Sequence, residues 1–180
     1  MGTETVVYRA YRFGPADPAE PHVYGACAPG WHVTGAVSEA VEDWIAFMRG
    51  RHVERVCSIV PGGDHAGAGN LRRYREEFGR KHVTHAPIPD GRLPDLAVLR
   101  DDILPFLASA RANDTRAVVV GLTGVGRTGV VLAGWLIRHR GFDVQEAIGT
   151  VREVGRDPRA VVERGEPSRG DLHDLLAALN

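Results

Sequence analysis

The chain has 180 residues, of which 43% are hydrophobic and 25% are charged, and its formal net charge is −1. This length and composition predict a single globular domain over residues 1–180. Basic residues do not outnumber acidic ones, which argues against a nucleic-acid binder, because such a protein must neutralise a phosphate backbone. No apolar run reaches the roughly 20 residues that span a bilayer and no signal-type segment is found, so we expect a cytoplasmic protein without a membrane partner.

The first half of the chain alternates β-type segments with helical patterns. Two short β-type pieces, "TVVYRAY" and "HVYGAC", lie in a region rich in proline and glycine. From Ser38, apolar residues recur every three or four positions and predict a helix. The segments that follow are predicted in this order: strand "HVERVCSIV", loop "PGGDHAGAG", helix "NLRRYREEFGRK", strand "HVTHAPI" and loop "PDGRLPD".

The second half is mostly helical around one buried strand. "LAVLRDDILPFLASARA" predicts a helix that Pro105 bends or breaks, "RAVVV" predicts a buried parallel strand, and "TGVVLAGWLIRHRG" predicts a central helix. Capping boxes at Asp143–Glu146 and Ser168–Asp171 open the last two predicted helices. The alternation predicts an α/β fold, with a central, mostly parallel sheet of about four or five strands flanked by helices.

A glycine-rich loop follows the predicted strand "RAVVV". The segment Gly121-Leu-Thr-Gly-Val-Gly-Arg-Thr128 is one residue from the nucleotide-binding pattern G-x-x-x-x-G-K-[ST], and it also contains G-x-G-x-x-G. Both patterns direct backbone N–H groups at an anion at a helix N-terminus. A nucleotide or dinucleotide site needs a later strand that ends in an acidic residue, but the residues after this loop are predicted to be helical.

The same loop resembles the phosphate cradle of cysteine-dependent tyrosine and dual-specificity phosphatases, H-C-x5-R-[ST]. Pro89-Asp90-Gly-Arg-Leu-Pro94 resembles their mobile general-acid loop. "YGACAPGW", "VCSIVPGGD" and "GNLRRYREEFG" resemble the branch related to the cyclin-dependent-kinase-associated phosphatase. The resemblance implies that fold, with the anion-binding loop between the last strand and the central helix. Two positions depart from the pattern, because Val120 and Gly121 stand where the histidine and the nucleophilic cysteine belong.

The resemblance implies a role for each matching position. Arg127 corresponds to the clamp on the phosphoryl oxygens and Asp90 to the general acid, so these two are the predicted catalytic residues. Gly121 has no nucleophilic side chain, so covalent catalysis is not available. Without the cysteine thiolate, the loop also lacks a negative charge that would repel a bound anion. No metal ion or other cofactor is expected. The predicted anion-binding residues are Gly121, Leu122, Thr123, Gly124, Val125, Gly126, Arg127 and Thr128.

Each of these residues also has a structural interpretation. Arg127 is also compatible with a structural ion pair, although its position in the matched loop favours the anion site, and Pro-Asp-Gly around Asp90 is a common turn sequence. Two cysteines make no disulfide framework, so Cys27 and Cys57 are expected to be reduced thiols, Cys27 near the pocket. Three histidines flank predicted loops near the same sheet edge and are candidates for lining the pocket: His65, His82 and His85.

Three functions remain open at the level of sequence. The first is a pseudophosphatase that binds a phosphorylated or carboxylated small molecule, or a phosphoprotein. The second is a repurposed enzyme in which Asp90 transfers a proton during an isomerisation, elimination or cyclisation while Arg127 anchors an anion. The third is an inactivated variant of an active phosphatase. All but one of the 22 basic residues are arginine, which indicates GC-rich coding and a bacterial source.

Overall fold

The computed structural model describes residues 10–30, 37–61 and 65–180, and five strands in this part of the chain form one sheet. The strands are β1 Gly14–Pro15, β2 Val23–Cys27, β3 Val53–Ser58, β4 Val83–His85 and β5 Arg116–Gly121. Their order is β1-β2-β5-β3-β4, with β1 antiparallel to β2 and all other pairs parallel. The last strand in the chain, β5, therefore lies in the middle of the sheet.

Helices cover both faces of the sheet. They are α1 Val37–Gly50, α2 His65–Phe78, α3 Leu104–Ala112, α4 Gly126–Arg140, α5 Val144–Glu153 and α6 Arg169–Ala177. Alternate side chains of β5 point to opposite faces, as a strand requires. Ala117 and Val119 pack in one cluster with α3 to α6, whereas Val118 and Val120 pack in the other with α1 and α2. The apolar run "RAVVV" is thus buried on both sides, which confirms the predicted α/β fold.

The central helix α4 is buried over ten consecutive residues, from Thr128 to Ile137. Residues on nearly every side of this helix are apolar, so it is enclosed between the sheet and its neighbouring helices. At its C-terminal end Gly141 adopts a left-handed conformation, with φ of 74°, and its N–H donates to the carbonyl of Leu136. A rigid helix therefore starts directly after the glycine-rich loop.

Several local predictions are confirmed. Both capping boxes are present, one with Asp143 and Glu146 before α5 and one with Ser168 and Asp171 before α6. The irregularity expected at Pro105 takes the form of a π-helical stretch, Val98–Ile103, that changes to α-helix at Leu104. Pro105 is the second residue of α3, so it lies directly where the π-helical hydrogen-bond pattern changes to the α-helical one.

Other local predictions are wrong about where an element begins or ends. The predicted loop "PGGDHAGAG" becomes helical at His65, since packing of Leu71 and Tyr74 against the sheet outweighs the weak helix propensity of its glycines. The predicted strand "HVTHAPI" forms only three ladder residues. The end of "TVVYRAY" is a 3-10 turn at Ala10–Arg12, and the rest of that segment lies outside the described residues, as do residues 62–64.

Among the helices of the described part, none is long and apolar enough to cross a membrane. That one domain spans all of residues 1–180 stays a prediction, because residues 1–9 and 31–36 are also outside the description.

Candidate anion-binding site

The glycine-rich loop connects the central strand to the central helix. β5 ends at Gly121, four residues follow without regular structure, and α4 begins at Gly126. We call residues 121–128 the cradle. Within the described residues, no backbone or side-chain group accepts a hydrogen bond from the N–H groups of Thr123, Gly124 and Val125. The first N–H groups of α4 likewise have no intrahelical partner, so this end of the helix presents a set of free donors with the positive end of the helix dipole.

Gly124 fixes how the cradle lies on the sheet. Its φ is +72°, a left-handed conformation that disfavours any side chain. A Cβ built on Gly124 would lie 2.8 Å from the carbonyl carbon of Ala26 and from the amide nitrogen of Cys27. The loop therefore packs directly on the backbone at the end of β2, and only glycine fits there.

Arg127 lies at the edge of the cradle and faces the predicted acid loop. Its Nη1 donates to the carbonyl oxygen of Ile88 at 2.7 Å, and its Nη2 lies 3.6 Å from Oδ1 of Asp90. The Arg127 side chain is only 10% exposed, and burial lowers its pKa although Asp90 opposes this shift. The two residues that sequence analysis predicts to be catalytic are thus brought together.

The Asp90 side chain is 95% exposed, so its contact with Arg127 is made at the mouth of a cleft rather than in the interior. The cleft has a volume of about 260 Å³. One wall of the cleft is formed by the acid loop and the cradle, and the other wall by the segment after α5. The lining residues are Asp90, Gly91, Thr123, Val125, Gly126, Arg127, Ala160, Val161, Glu163, Arg164 and Glu166.

A threonine hydroxyl occupies the floor of the cradle. Thr128 is 1% exposed, and within the described residues its Oγ1 has no hydrogen-bond partner. A Cβ at Gly121 would collide with this oxygen, and a Cβ at Gly25 would lie 2.9 Å from the Thr128 methyl carbon. The threonine therefore fills a slot between two glycines of β2 and β5. Residue 121, where the resemblance puts the nucleophile, offers no side-chain atom.

Arg156 supports the cradle from behind and is a residue that sequence analysis missed. It is 2% exposed, and its guanidinium donates to the carbonyl oxygens of Gly124 at 2.6 Å and of Gly25 at 2.7 Å. The next residue, Asp157, donates its N–H to the carbonyl of Val125 at 3.2 Å. Nothing in the local pattern around "GRDPR" distinguishes this arginine from the other arginines of the chain, because its partners are distant in sequence.

The remaining sequence candidates do not line the cleft. Cys27 is 1% exposed and burial raises the pKa of its thiol, which agrees with an inert reduced cysteine. His82 and His85 pair through their rings with the carbonyls of Phe78 and Val60, each at 2.9 Å. The side chain of His65 lies outside the described residues. Among those described, no cluster of three or more His, Cys, Asp or Glu side chains has the arrangement of a metal site.

Comparison with known proteins agrees with this geometry. A family model described as "Polymorphic toxin system, DSP-PTPase phosphatase" matches residues 33–141, more than half of the chain. A search of curated proteins finds no match. Tk-PTP in a mutant form has a TM-score of 0.66 and 22% identity, and the alignment covers 89% of this chain and 91% of that one.

Two further solved structures have the same fold. Kinase associated phosphatase, with its catalytic-site cysteine substituted by serine, gives a TM-score of 0.65 and 19% identity over 87% of this chain and 86% of that one. TpbA from P. aeruginosa in complex with pTyr gives a TM-score of 0.56 and 20% identity, over 89% of this chain and 86% of that one. At these identities the structures show the fold alone, and together with the family model they confirm the resemblance to tyrosine and dual-specificity phosphatases.

Proposed function

The chain belongs to the DSP-PTPase phosphatase family of polymorphic toxin systems, and we propose that it binds a phosphorylated or other anionic ligand in the cradle without hydrolysing it. The main support for this proposal is that the floor of the cradle has no accessible nucleophile. Gly121 has no side chain, and the nearest polar side-chain atom, Oγ1 of Thr128, is buried. An in-line attack on phosphorus needs a nucleophile at this point.

Neither cysteine can take over the attack. Cys27 and Cys57 are 1% and 0% exposed, and burial raises the pKa of both thiols, that of Cys57 to about 12. A neutral, enclosed thiol is a poor nucleophile. Under the proposal, the part this domain plays in a toxin system is therefore ligand capture rather than phosphate-ester hydrolysis.

The same features favour anion binding. The N–H groups of Thr123 to Val125 have no partner within the described residues, and the guanidinium of Arg127 lines the same cleft. Such donors make charge-assisted hydrogen bonds to an oxyanion. The ligand is a phosphate or carboxylate on a small molecule or a protein, and the net charge of −1 disfavours nucleic acid.

The proposal is tested by calorimetric titration with phosphotyrosine, alongside a turnover assay on an aryl phosphate. We expect saturable binding that Arg127→Ala weakens by about 1.5–3 kcal/mol, the scale of a charge-assisted hydrogen bond. Arg72→Ala is the control, because this exposed arginine lies on α2 and its loss changes the net charge equally. Turnover of about 1 per second or more, which is ordinary for an enzyme, would contradict the proposal.

A second candidate function is supported by Asp90. Its carboxylate lies at the cleft mouth, 3.6 Å from Arg127, where a general acid or base would face a bound ligand. If the chain is a repurposed proton-transfer enzyme, Asp90→Asn abolishes turnover of its substrate and leaves phosphotyrosine affinity nearly unchanged. If it is only a binder, Asp90→Asn behaves like the wild type in an assay of the toxin system in cells.

A further inference from the structure

A second cavity adjoins the anion-binding cleft. Its volume is about 610 Å³, compared with about 260 Å³ for the cleft, and Glu166 lines both. One wall consists of Arg92 and Leu93 from the acid loop. The opposite wall runs from Gly165 to Ser168 and includes Asp171. A ligand larger than a single oxyanion therefore has room to extend from the cradle past Glu166 into this second cavity.

The polar side chains of the second cavity differ in whether they already have partners. Asp171 accepts hydrogen bonds from the N–H of Ser168 at 2.7 Å and from its hydroxyl at 2.9 Å, and that hydroxyl accepts one from the N–H of Asp171. Both side chains are thus occupied in capping α6. Glu166 is exposed, and its carboxylate has no hydrogen bond or ion pair with any described residue. The junction of the two cavities therefore presents a free carboxylate.

The charges along both cavities do not suit a ligand that is only an anion. Four carboxylates and three guanidinium groups line them: Asp90, Glu163, Glu166, Asp171, Arg92, Arg127 and Arg164. The lining therefore has a formal charge of −1 before a ligand binds, and an oxyanion in the cradle adds further negative charge. Acidic side chains beside a phosphate group are unfavourable through like-charge repulsion. A cationic group on the same ligand would offset this repulsion.

We infer that the second cavity is a subsite for an ammonium or guanidinium group of the ligand whose oxyanion lies in the cradle, with Glu166 as the main partner of that cation. The inference rests on the proposed function, and it adds a ligand class: molecules that carry a cationic group beside the oxyanion. A lysine or arginine next to a phosphorylated residue has this chemistry, and so does a small phosphorylated amine.

Matched ligands test the subsite by calorimetric titration of the wild type. The first set is a capped tripeptide with phosphotyrosine in the centre, flanked on both sides by lysine, by norleucine or by glutamate. Norleucine has nearly the apolar stem of lysine without the charge. We expect the lysine peptide to bind about three- to fivefold more tightly than the norleucine peptide, the scale of an exposed ion pair, and the glutamate peptide to bind most weakly. The preference should shrink at about 0.5 M salt.

A second pair of ligands identifies the source of the cation. Tyramine phosphate carries an ammonium group that 4-ethylphenyl phosphate lacks. A preference for tyramine phosphate shows that a small amine reaches the subsite, whereas a preference within the peptides alone shows that the cation belongs to a flanking side chain. Either result supports the subsite.

Glu166→Gln removes the charge with little change in size, so the preference for lysine over norleucine should fall to near unity. Glu166→Lys should reverse the order and favour the glutamate peptide. Glu54→Gln is the matched control, because Glu54 is also exposed, lies on β3 and lines neither cavity. It changes the net charge equally and should leave the preference unchanged. Circular dichroism verifies that each variant is folded.

The outcomes separate this inference from the proposed function. A wild type that binds none of the ligands would overturn the proposed function itself. Equal binding of the lysine and norleucine peptides together with equal binding of the two small esters, or a full preference in folded Glu166→Gln, would overturn only the subsite. Tighter binding of the glutamate peptide by the wild type would also overturn it, since the second cavity would then accept an anion through Arg92. If the Glu166 variants do not fold, the wild-type comparisons and their salt dependence still decide between these results.

Discussion

Substitution of Gly124 by alanine tests the packing of the cradle on the sheet. The chain offers a matched comparison in Gly141, since both glycines have nearly the same left-handed φ, +72° and +74°. They differ in their surroundings. A Cβ at Gly124 meets backbone atoms of Ala26 and Cys27 at 2.8 Å, whereas a Cβ at Gly141 meets nothing within 4 Å.

The expected magnitudes follow from this difference. Gly141→Ala costs only the left-handed conformation, about 1–2 kcal/mol. Gly124→Ala adds a clash with backbone that cannot rotate away, and overpacking of this kind costs about 1–3 kcal/mol more. We therefore expect a total loss of about 2–5 kcal/mol in the free energy of unfolding for Gly124→Ala.

Urea unfolding of the two variants measures the stability difference, and phosphotyrosine titration measures the state of the cradle. Gly124→Ala should weaken binding by about tenfold or more, because the loop must lift from β2 and its N–H groups lose their common direction. Gly141→Ala should bind like the wild type. Equal destabilisation by the two substitutions, with binding intact in both, would refute the close approach of the cradle to β2.

Three further predictions concern the cradle and the core. Arg127→Lys should recover only part of the phosphotyrosine affinity that Arg127→Ala loses, because an ammonium point charge cannot replace the planar, bidentate guanidinium. Equal phosphotyrosine affinities of Arg127→Lys and the wild type in calorimetry would contradict this prediction. Thr128→Val removes a buried hydroxyl without a described partner, so the free energy of unfolding should stay equal or rise by about 1 kcal/mol. The same substitution should weaken anion binding. Burial raises the pKa of Cys57 from 9.0 to about 12, so between these pH values the unfolded state ionises first and stability falls as pH rises. The stability advantage of wild type over Cys57→Ala should therefore shrink by about 1 kcal/mol from pH 9 to pH 10, and a constant difference in urea unfolding would contradict it.

The central part of the fold could be predicted because local patterns decide it. The β-branched run before Gly121 permits little but a buried strand, and the apolar surface of the next segment requires an enclosed helix. Both capping boxes could be predicted from four-residue motifs, since the hydrogen bonds of Asp143 and Ser168 stay within one helical turn. The roles expected for Asp90 and Arg127 followed from the resemblance alone, and their contact is seen only in the structure.

What could not be predicted depends on contacts between distant residues. Arg156 binds the carbonyl of Arg12 across 144 positions and that of Gly25 across 131, and no pattern near residue 156 encodes either. The early start of α2 at His65 runs against its local glycines and follows from packing on the sheet. The slot that Thr128 fills between Gly25 and Gly121 emerges only when β2 and β5 pair.

Phosphorus-31 NMR of the protein mixed with phosphotyrosine distinguishes a binder from a phosphatase, because one spectrum reports both binding and hydrolysis. We expect a saturable shift or broadening of the phosphotyrosine signal, lost in Arg127→Ala, with no growth of the inorganic phosphate signal over hours. Steady release of inorganic phosphate, faster with the wild type than with Arg127→Ala, would show a working phosphatase. A signal unchanged by the protein at millimolar concentration would show that the cradle of Gly121 to Thr128 binds no phosphate ester.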